Sequence, residues 1–265
     1  MNSSLSIISI NYNNSSGLEK TIVSVINQTY KNYEYIIVDG LSDDGSIDII
    51  KKYESEITHS VIEADNGIYH AMNKGIRFAK GDYIIFLNSG DVFTDNTVLN
   101  SVIQEIKNED FISCNLMLVS PVGKSLKIYP DFPTFKYFLE DSLPHPATFI
   151  KRSLFDISGG YDERFKICSD WMFFIIMLCK HDATHKHLPV TLSEFQLDGK
   201  SSLVENLELI KNERKQILEA HFSRYTDLIQ EWQENKKYRF IHENSRLIQI
   251  AKKLGFLNPP DSSAF

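Results

Sequence analysis

The feature that most constrains this chain is an alternation: from residue 5 to about 118, short β-branched runs take turns with stretches of helical spacing. Residues 5–10, 35–38, 60–63, 83–87 and 111–117 read as strands, and residues 18–27, 47–53, 68–79 and 98–107 as helices. Such alternation calls for a mostly parallel sheet covered by helices on both faces. Ligands in such sheets bind beyond the carboxyl ends of the strands. Polar residues collect at those ends here. Asn11, Tyr12 and Asn13 follow the first strand, DGLSDDGS (39–46) the second, Asp65, Asn66 and Gly67 the third, and NSGD (88–91) the fourth.

With 265 residues, 42% of them hydrophobic, the chain has material for one large α/β domain or two small ones. A formal charge of −7 argues against a dedicated nucleic-acid binder, which relies on many Lys/Arg contacts to phosphate. An anionic substrate must be held locally, by a metal or by backbone amides. Cys114, Cys168 and Cys179 lack C-x-x-C spacing and lie in or beside apolar runs, so they read as reduced core thiols of a cytoplasmic protein. The apolar run 5–10 is too short for a signal peptide, and 171–179 is about half of a membrane span. The expectation is a soluble or peripheral protein.

Asp39 is expected at the tip of the second strand, where it accepts a hydrogen bond from a base imide or a ribose hydroxyl, or else closes an Asx turn. Ser46 is expected at the N-cap of the next helix. In FLNSGDVF a buried strand ends on Asp91. That carboxylate suits a hard divalent ion such as Mg²⁺ or Mn²⁺, whose other ligands come from phosphate and water; a plain strand-end turn is the alternative. In ADNGIYHAMNKGI, Ile68, Met72 and Ile76 share one helical face and belong to the core. Asp65 and Asn66 at its start are the functional candidates, with an N-cap as the other reading of Asn66.

Residues 5 to about 180 resemble the family-2 glycosyltransferases of the GT-A fold. The matching stretches are SIISINYNN, SVINQTY, YEYIIVDGLSDDGS, EADNGIYHAMNKGI, GDYIIFLNSGD, HPATFIKRSLF and GGYDERFKICSDW, in the family's order and at its spacing. The resemblance implies a Rossmann-like sheet and an inverting enzyme using a nucleoside diphosphate sugar, most often a UDP-sugar, often in polysaccharide or O-antigen assembly. It implies base contacts at Ile10, Asn11 and Tyr12, with Asp39 on the uracil or ribose. It also implies that Asp65, Asn66 and Lys74 lie near the donor with the Asn88, Ser89 and Gly90 turn, and that Asp91 holds the metal. Asn88 and Gly90 stand where the family commonly has carboxylates, so the metal is expected to arrive with the diphosphate. The resemblance assigns the general base, which takes the acceptor's hydroxyl proton, to Asp170 at the start of an apolar helix. Asp162 and Glu163 are the runners-up, although GGYDE reads mainly as a turn.

Further candidates are less defined. His145, between two prolines, contacts acceptor or diphosphate or is a structural loop histidine; Lys200 closes over the diphosphate or is a solvated lysine. The expected division is a catalytic domain over 1–202, with a nucleotide-sugar half (1–118) and an acceptor-facing half (119–202) on one continuous sheet, followed by a helical extension over 203–265. Residues 236–254 carry Lys236, Lys237, Arg239, Arg246, Lys252 and Lys253 against Glu243, interleaved with apolar residues. That segment fits an anionic membrane surface carrying an undecaprenyl-diphosphate-linked acceptor, or packs on the domain with a solvated basic face. A sugar-1-phosphate nucleotidyltransferase is disfavoured, because no glycine-rich phosphate loop with Arg/Lys follows the first strand. A nucleotide-sugar-binding protein without catalysis stays open.

Overall fold

The structure, a computed structural model, describes residues 4–197 and 204–244. β1 (Leu5–Asn11), β2 (Tyr33–Asp39), β3 (His59–Ile62) and β4 (Tyr83–Phe86) pair in parallel in the order β3-β2-β1-β4. Between them run α1 (Ser15–Ile26), α2 (Ser46–Lys52) and α3 (Ile68–Phe78), with α3 packed on β1 and β2. Every residue of β1 and β4 is buried, so these strands read as continuous apolar runs rather than alternating ones. The serines within β1 are satisfied: Ser9 Oγ donates to the Leu87 carbonyl at 2.5 Å and Ser6 Oγ to Glu34 Oε1 at 2.6 Å.

Beyond β4 the same sheet continues through β8 (Thr148–Lys151), β6 (Phe111–Ser120), β9 (His185–Gln196) and the two-residue β5 (Val92–Phe93), with β7 (Gly123–Lys127) paired to β6. β8 runs antiparallel to both β4 and β6, and so joins the parallel half to the mixed half. The helices here are α4 (Val98–Ile103), α5 (Phe135–Glu140), α6 (Ser153–Ser158) and α7 (Ser169–Lys180). α7 contains the apolar run 171–179 and buries Trp171, Phe173, Phe174, Ile175 and Met177. Phe155 stacks on Phe173 at 4.7 Å between centroids, and Tyr161 meets Phe86, Phe155, Phe173 and Tyr69. This aromatic cluster links β4, α3, α6 and α7.

Two helix starts differ from expectation. Ser46 is the first residue of α2 rather than its cap: Gly45 holds the N-cap position, and the Asp44 carboxylate accepts from both Ser46 N and Ser46 Oγ. Asn66 does not cap α3, whose N-cap is Gly67 without a side-chain bond. Among the described residues Cys114, Cys168 and Cys179 are free thiols, and burial pushes them up to about 12, 12 and 11. At neutral pH they stay as thiols rather than thiolates.

Among the described residues, those up to Arg214 form one compact unit and those from Lys215 onward another. α8 (Leu207–His221) begins in the first. Within the second, a short 3₁₀ turn (Ser223–Tyr225) leads to α9 (Thr226–Asn244). No helix among the described residues is long and apolar enough to cross a membrane.

Candidate active site

The carboxyl ends of β1 to β4 form one edge, and the residues there are tied to each other. Asp39, the last residue of β2, is fully buried. Its Oδ1 accepts from Ser42 N at 2.7 Å, and its Oδ2 from Asn11 Nδ2 at 2.7 Å and Ser42 Oγ at 2.8 Å. It therefore both closes an Asx-type turn and fixes Asn11 at the end of β1. Asn11 is itself buried, and its Oδ1 has no hydrogen-bond partner. Beside it Tyr12 is 66% exposed, an aromatic face left open on the strand edge. Gly40 explains how tightly this corner closes: a Cβ there would lie 2.5 Å from Asp65 Oδ2 and 3.0 Å from Tyr12 Cδ2. Glycine lets the Tyr12 ring and the Asp65 carboxylate converge on one backbone position.

Asp65 also accepts from Gly67 N at 2.9 Å, and Asn66 N donates to His70 Nδ1 at 3.0 Å, which fixes the turn into α3. Lys74 lies beneath this turn. It is buried, with Nζ 2.9 Å from Glu63 Oε1 and 2.8 Å from the Ala64 carbonyl. Its hydrogen bond holds the Glu63 carboxyl below the ordinary value. Lys74 thus braces the loop that carries Asp65.

The NSGD turn is held from α1. Thr21 Oγ1 reaches the carbonyls of Asp91 (2.8 Å) and Asn88 (3.3 Å) and accepts from Gly90 N (3.0 Å). Asn14 Nδ2 donates to the Ser89 carbonyl at 3.1 Å while its Oδ1 caps Gly17 N. Ser89 N donates to the Ile10 carbonyl, so the turn is laced to β1 as well. Asp91 is 5% exposed at the end of this turn. No group of three or more His, Cys, Asp or Glu arranged to hold a metal exists among the described residues. Asp91 is the one carboxylate of this turn, so a divalent ion there would need phosphate and water to complete its shell.

On the other side of the cleft, Asp170 lies in the first turn of α7. Its Oδ1 lies 2.7 Å from Tyr69 OH, whose single proton is shared between this carboxylate and the Ile167 carbonyl at 2.5 Å, and its Oδ2 lies 3.5 Å from His145 Nδ1. His145 Nε2 in turn lies 3.1 Å from Asn88 Nδ2. Burial works to raise the Asp170 carboxyl, but the bonds from His145 and Tyr69 and the Trp171 N–H outweigh it and hold it below the ordinary value. The loop before α7 is fixed by Glu213 of α8, whose carboxylate accepts from Lys166 N, Ile167 N and Cys168 N at 2.7, 3.0 and 2.9 Å. A cavity of about 610 Å³ opens between the start of α3 (including Tyr69 and His70), residues 163–167, and Glu205, Asn206 and Leu209. Tyr69 joins that cavity to Asp170. The runners-up are engaged elsewhere: Asp162 pairs with Arg164 at 2.6 Å, and Glu163 accepts from Asn73 at 2.9 Å.

A family model described as glycosyl transferase family 2 matches residues 6–173. The chain belongs to that family. An uncharacterised glycosyltransferase of Mycobacterium tuberculosis is 30% identical over 197 residues, 68% of this chain and 75% of the relative. A PGL/p-HBAD biosynthesis glycosyltransferase of Mycobacterium bovis is 25% identical over 213 residues, 78% of this chain and 82% of the relative. Among solved structures, TarS of S. aureus in complex with UDP-GlcNAc superposes with a TM-score of 0.60 at 17% identity, over 75% of this chain and 60% of TarS. The mannosyltransferase PcManGT of Pyrobaculum calidifontis, in complex with GDP-Man and Mn²⁺, gives 0.59 at 16% identity, over 76% of this chain and 59% of its own. The curled α/β architecture is the GT-A fold of these glycosyltransferases.

Within this family-2 glycosyltransferase, the structure brings Asn11, Tyr12, Asp39 and Asp65 to one corner. Asn88, Ser89, Gly90 and Asp91 form the adjoining turn, and His145 and Asp170 stand together. Ile10 takes part through its carbonyl, and Lys74 from beneath. Lys200 and residues 245–254 of the basic segment lie outside the described residues. Thr21, Asn14, Tyr69 and Glu213 were missed by sequence reasoning. Tyr69 sits inside a stretch read as core, and Glu213 on a helix far along the chain carries no local motif.

Proposed function

We propose that this glycosyltransferase is an inverting enzyme that transfers a sugar from a nucleoside diphosphate sugar, a UDP-sugar, to a hydroxyl of a glycan or lipid-linked saccharide in cell-surface polysaccharide assembly of the O-antigen kind. The observation that carries the reading is the Asp170 carboxylate, held below its ordinary value by His145 and Tyr69 and facing the Asn88 turn through His145. The exposed Tyr12 ring and the unpartnered Asn11 Oδ1 suit a nucleobase, with Asp39 and Asp65 beside them. The TarS complex with UDP-GlcNAc and the PcManGT complex with GDP-Man support a nucleotide-sugar donor. A relative named for teichuronic acid biosynthesis in Bacillus subtilis, 40% identical over 90 residues, supports the polysaccharide role.

In this reading the acceptor hydroxyl oxygen bonds to the anomeric carbon while its proton passes to Asp170. The bond from that carbon to the diphosphate breaks, and the nucleoside diphosphate leaves with the electron pair. Asp91 would hold a divalent ion that arrives with the donor, and that ion would neutralise charge on the diphosphate. Displacement at one face inverts the anomeric configuration, since no enzyme nucleophile takes part. We place the protein at the cytoplasmic membrane face, with the basic residues of 236–254 drawn to anionic lipid bearing an undecaprenyl-diphosphate-linked acceptor.

The test is Asp170→Asn. Donor binding by calorimetry stays, because the amide keeps the side-chain shape, while transfer falls by about 10²–10⁴-fold, the usual contribution of a positioned base. Proton NMR of the product from an α-linked donor should show a β linkage. A retained α linkage overturns the mechanism.

A further inference from the structure

His145, in the loop between α5 and β8, touches a residue from each side of the cleft. We propose that His145 is a positioning residue for Asp170, and that the Asn88 amide of the NSGD turn sets its tautomer, keeping the proton on Nδ1 and facing the Asp170 carboxylate. The inference rests on Asp170 being the base.

The argument begins with what each neighbour can do. Asn88 Nδ2 carries only donors, and it lies 3.1 Å from His145 Nε2, so in this orientation of the amide that nitrogen presents a lone pair. The ring proton of a neutral imidazole then sits on Nδ1, the nitrogen 3.5 Å from Asp170 Oδ2. With the amide reversed, a neutral ring would set the bare Nδ1 against a carboxylate, two acceptors facing each other; the orientation described avoids that clash. At 3.5 Å the contact is a charge–dipole approach, of the kind that tightens when substrate binds. Only the nitrogen of the Asn88 amide is engaged: its Oδ1 is buried without a partner.

The other groups facing Asp170 are Tyr69 from α3, Tyr161 from the GGYDE loop and Cys168 from its own loop. Of these only Tyr69 donates to the carboxylate. The remaining support for the ionised form comes from His145 and the Trp171 N–H, against burial. Asparagine at position 88 suits this arrangement better than a carboxylate would. An aspartate there would draw a second proton onto Nε2, and the resulting imidazolium would bind Asp170 too strongly to leave it a useful base. Asn88, at a place where a carboxylate is common, thus serves the acceptor side of the site from the donor side.

Long-range ¹H–¹⁵N NMR on the full chain labelled at histidine reads the tautomer with no substrate present. At pH 7.5 the wild-type His145 resonances, assigned by their loss in His145→Asn, should show a protonated Nδ1 and a bare Nε2. Asn88→Ala should move the pattern toward the Nε2-protonated form. Titration of the Asp170 carboxyl by ¹³C NMR adds a second readout. His145→Gln, which removes the Nδ1 donor, should raise its midpoint by about one pH unit. His145→Asn, whose amide nitrogen occupies the Nδ1 position, should leave the midpoint near wild type. An imidazolium or a protonated Nε2 in the wild type, or equal midpoints in both variants, overturns the inference. Release of UDP from a UDP-sugar by Asp170→Asn separates the two ideas: wild-type rates there sink the base itself, whereas a failed tautomer prediction with slow release sinks only the role of His145.

Discussion

Glu213 should be the residue outside the cleft on which the cleft depends most. Its buried carboxylate collects the backbone N–H groups of Lys166, Ile167 and Cys168, the donors just ahead of α7. Backbone donors of a buried loop need acceptors, and an anion at the entry to a helix is also favoured by the helix dipole. Cys168 holds the N-cap position and makes no side-chain cap bond, so Glu213 is the anion that faces this end of the helix. Each hydrogen bond to an ionised acceptor is worth about 1.5–3 kcal/mol, and losing all of them leaves buried donors unpaired. Partial rescue by water makes the total less than the sum, so Glu213→Ala should cost about 3–5 kcal/mol, as when one partner of a buried charged interaction is removed. At about 2–4 °C per kcal/mol, the apparent Tm should fall by about 6–20 °C. Glu213→Gln keeps an acceptor oxygen and should cost about half as much. Amide hydrogen exchange should quicken at residues 166–168 first, and transfer should suffer more than donor binding, because Asp170 follows directly on this loop. An unchanged Tm with unchanged exchange at 166–168 would refute the reasoning.

Asp91→Ala should abolish Mn²⁺-dependent binding of a UDP-sugar in calorimetry while leaving the thermal transition near wild type; unchanged affinity removes Asp91 from the metal. The full chain should sediment with vesicles containing anionic lipid and not with neutral ones, and the binding should weaken as salt rises. Equal sedimentation with both, or none, leaves residues 236–254 without a membrane role.

The parallel half of the sheet was legible because its central strands, β1 and β4, are buried throughout, so they read as continuous apolar runs between stretches of helical spacing. Tyr33–Asp39 ends on Asp39, as its apolar run implied, whereas Tyr83–Phe86 stops at Phe86 and Asp91 lies in the turn beyond it, just before Val92–Phe93. β8 and the two-residue β5 could not be read in that way. Their identity as strands comes from partners far along the chain, Ile84 and Phe111 for Ile150, and Glu194 for Val92. The capping expectation at Ser46 failed for a local reason: Asp44 reaches over Gly45 to bond both polar groups of Ser46. The side-chain chain from Asn88 through His145 to Asp170 and Tyr69 joins separate elements, and no spacing in the sequence encodes their meeting. Glu213 illustrates the limit most clearly, since on its helix it resembles any surface glutamate until the loop it binds is in view.

The carboxylates of this cleft divide their work by what surrounds them, and that division bears on how metal and donor bind. Asp39 and Asp44 are spent on turns, accepting from Asn11, Ser15, Ser42 and Ser46. Asp65 shapes the corner at Gly40 and the entry to α3. Asp91 is the one acid in NSGD, with Asn88 turned toward His145. A divalent ion meeting that turn alone finds a single carboxylate, too few charged ligands to displace its water shell. With a diphosphate present it gains anionic oxygens from the donor, and the donor gains a counter-charge. Linkage then requires that the ion tighten donor binding by the same factor as the donor tightens ion binding. Titrating Mn²⁺ with and without UDP should give unequal affinities, and the ratio must match that from titrating UDP with and without Mn²⁺. Tight Mn²⁺ binding with no nucleotide would mean that the turn holds a preformed metal site, which a lone Asp91 carboxylate does not provide.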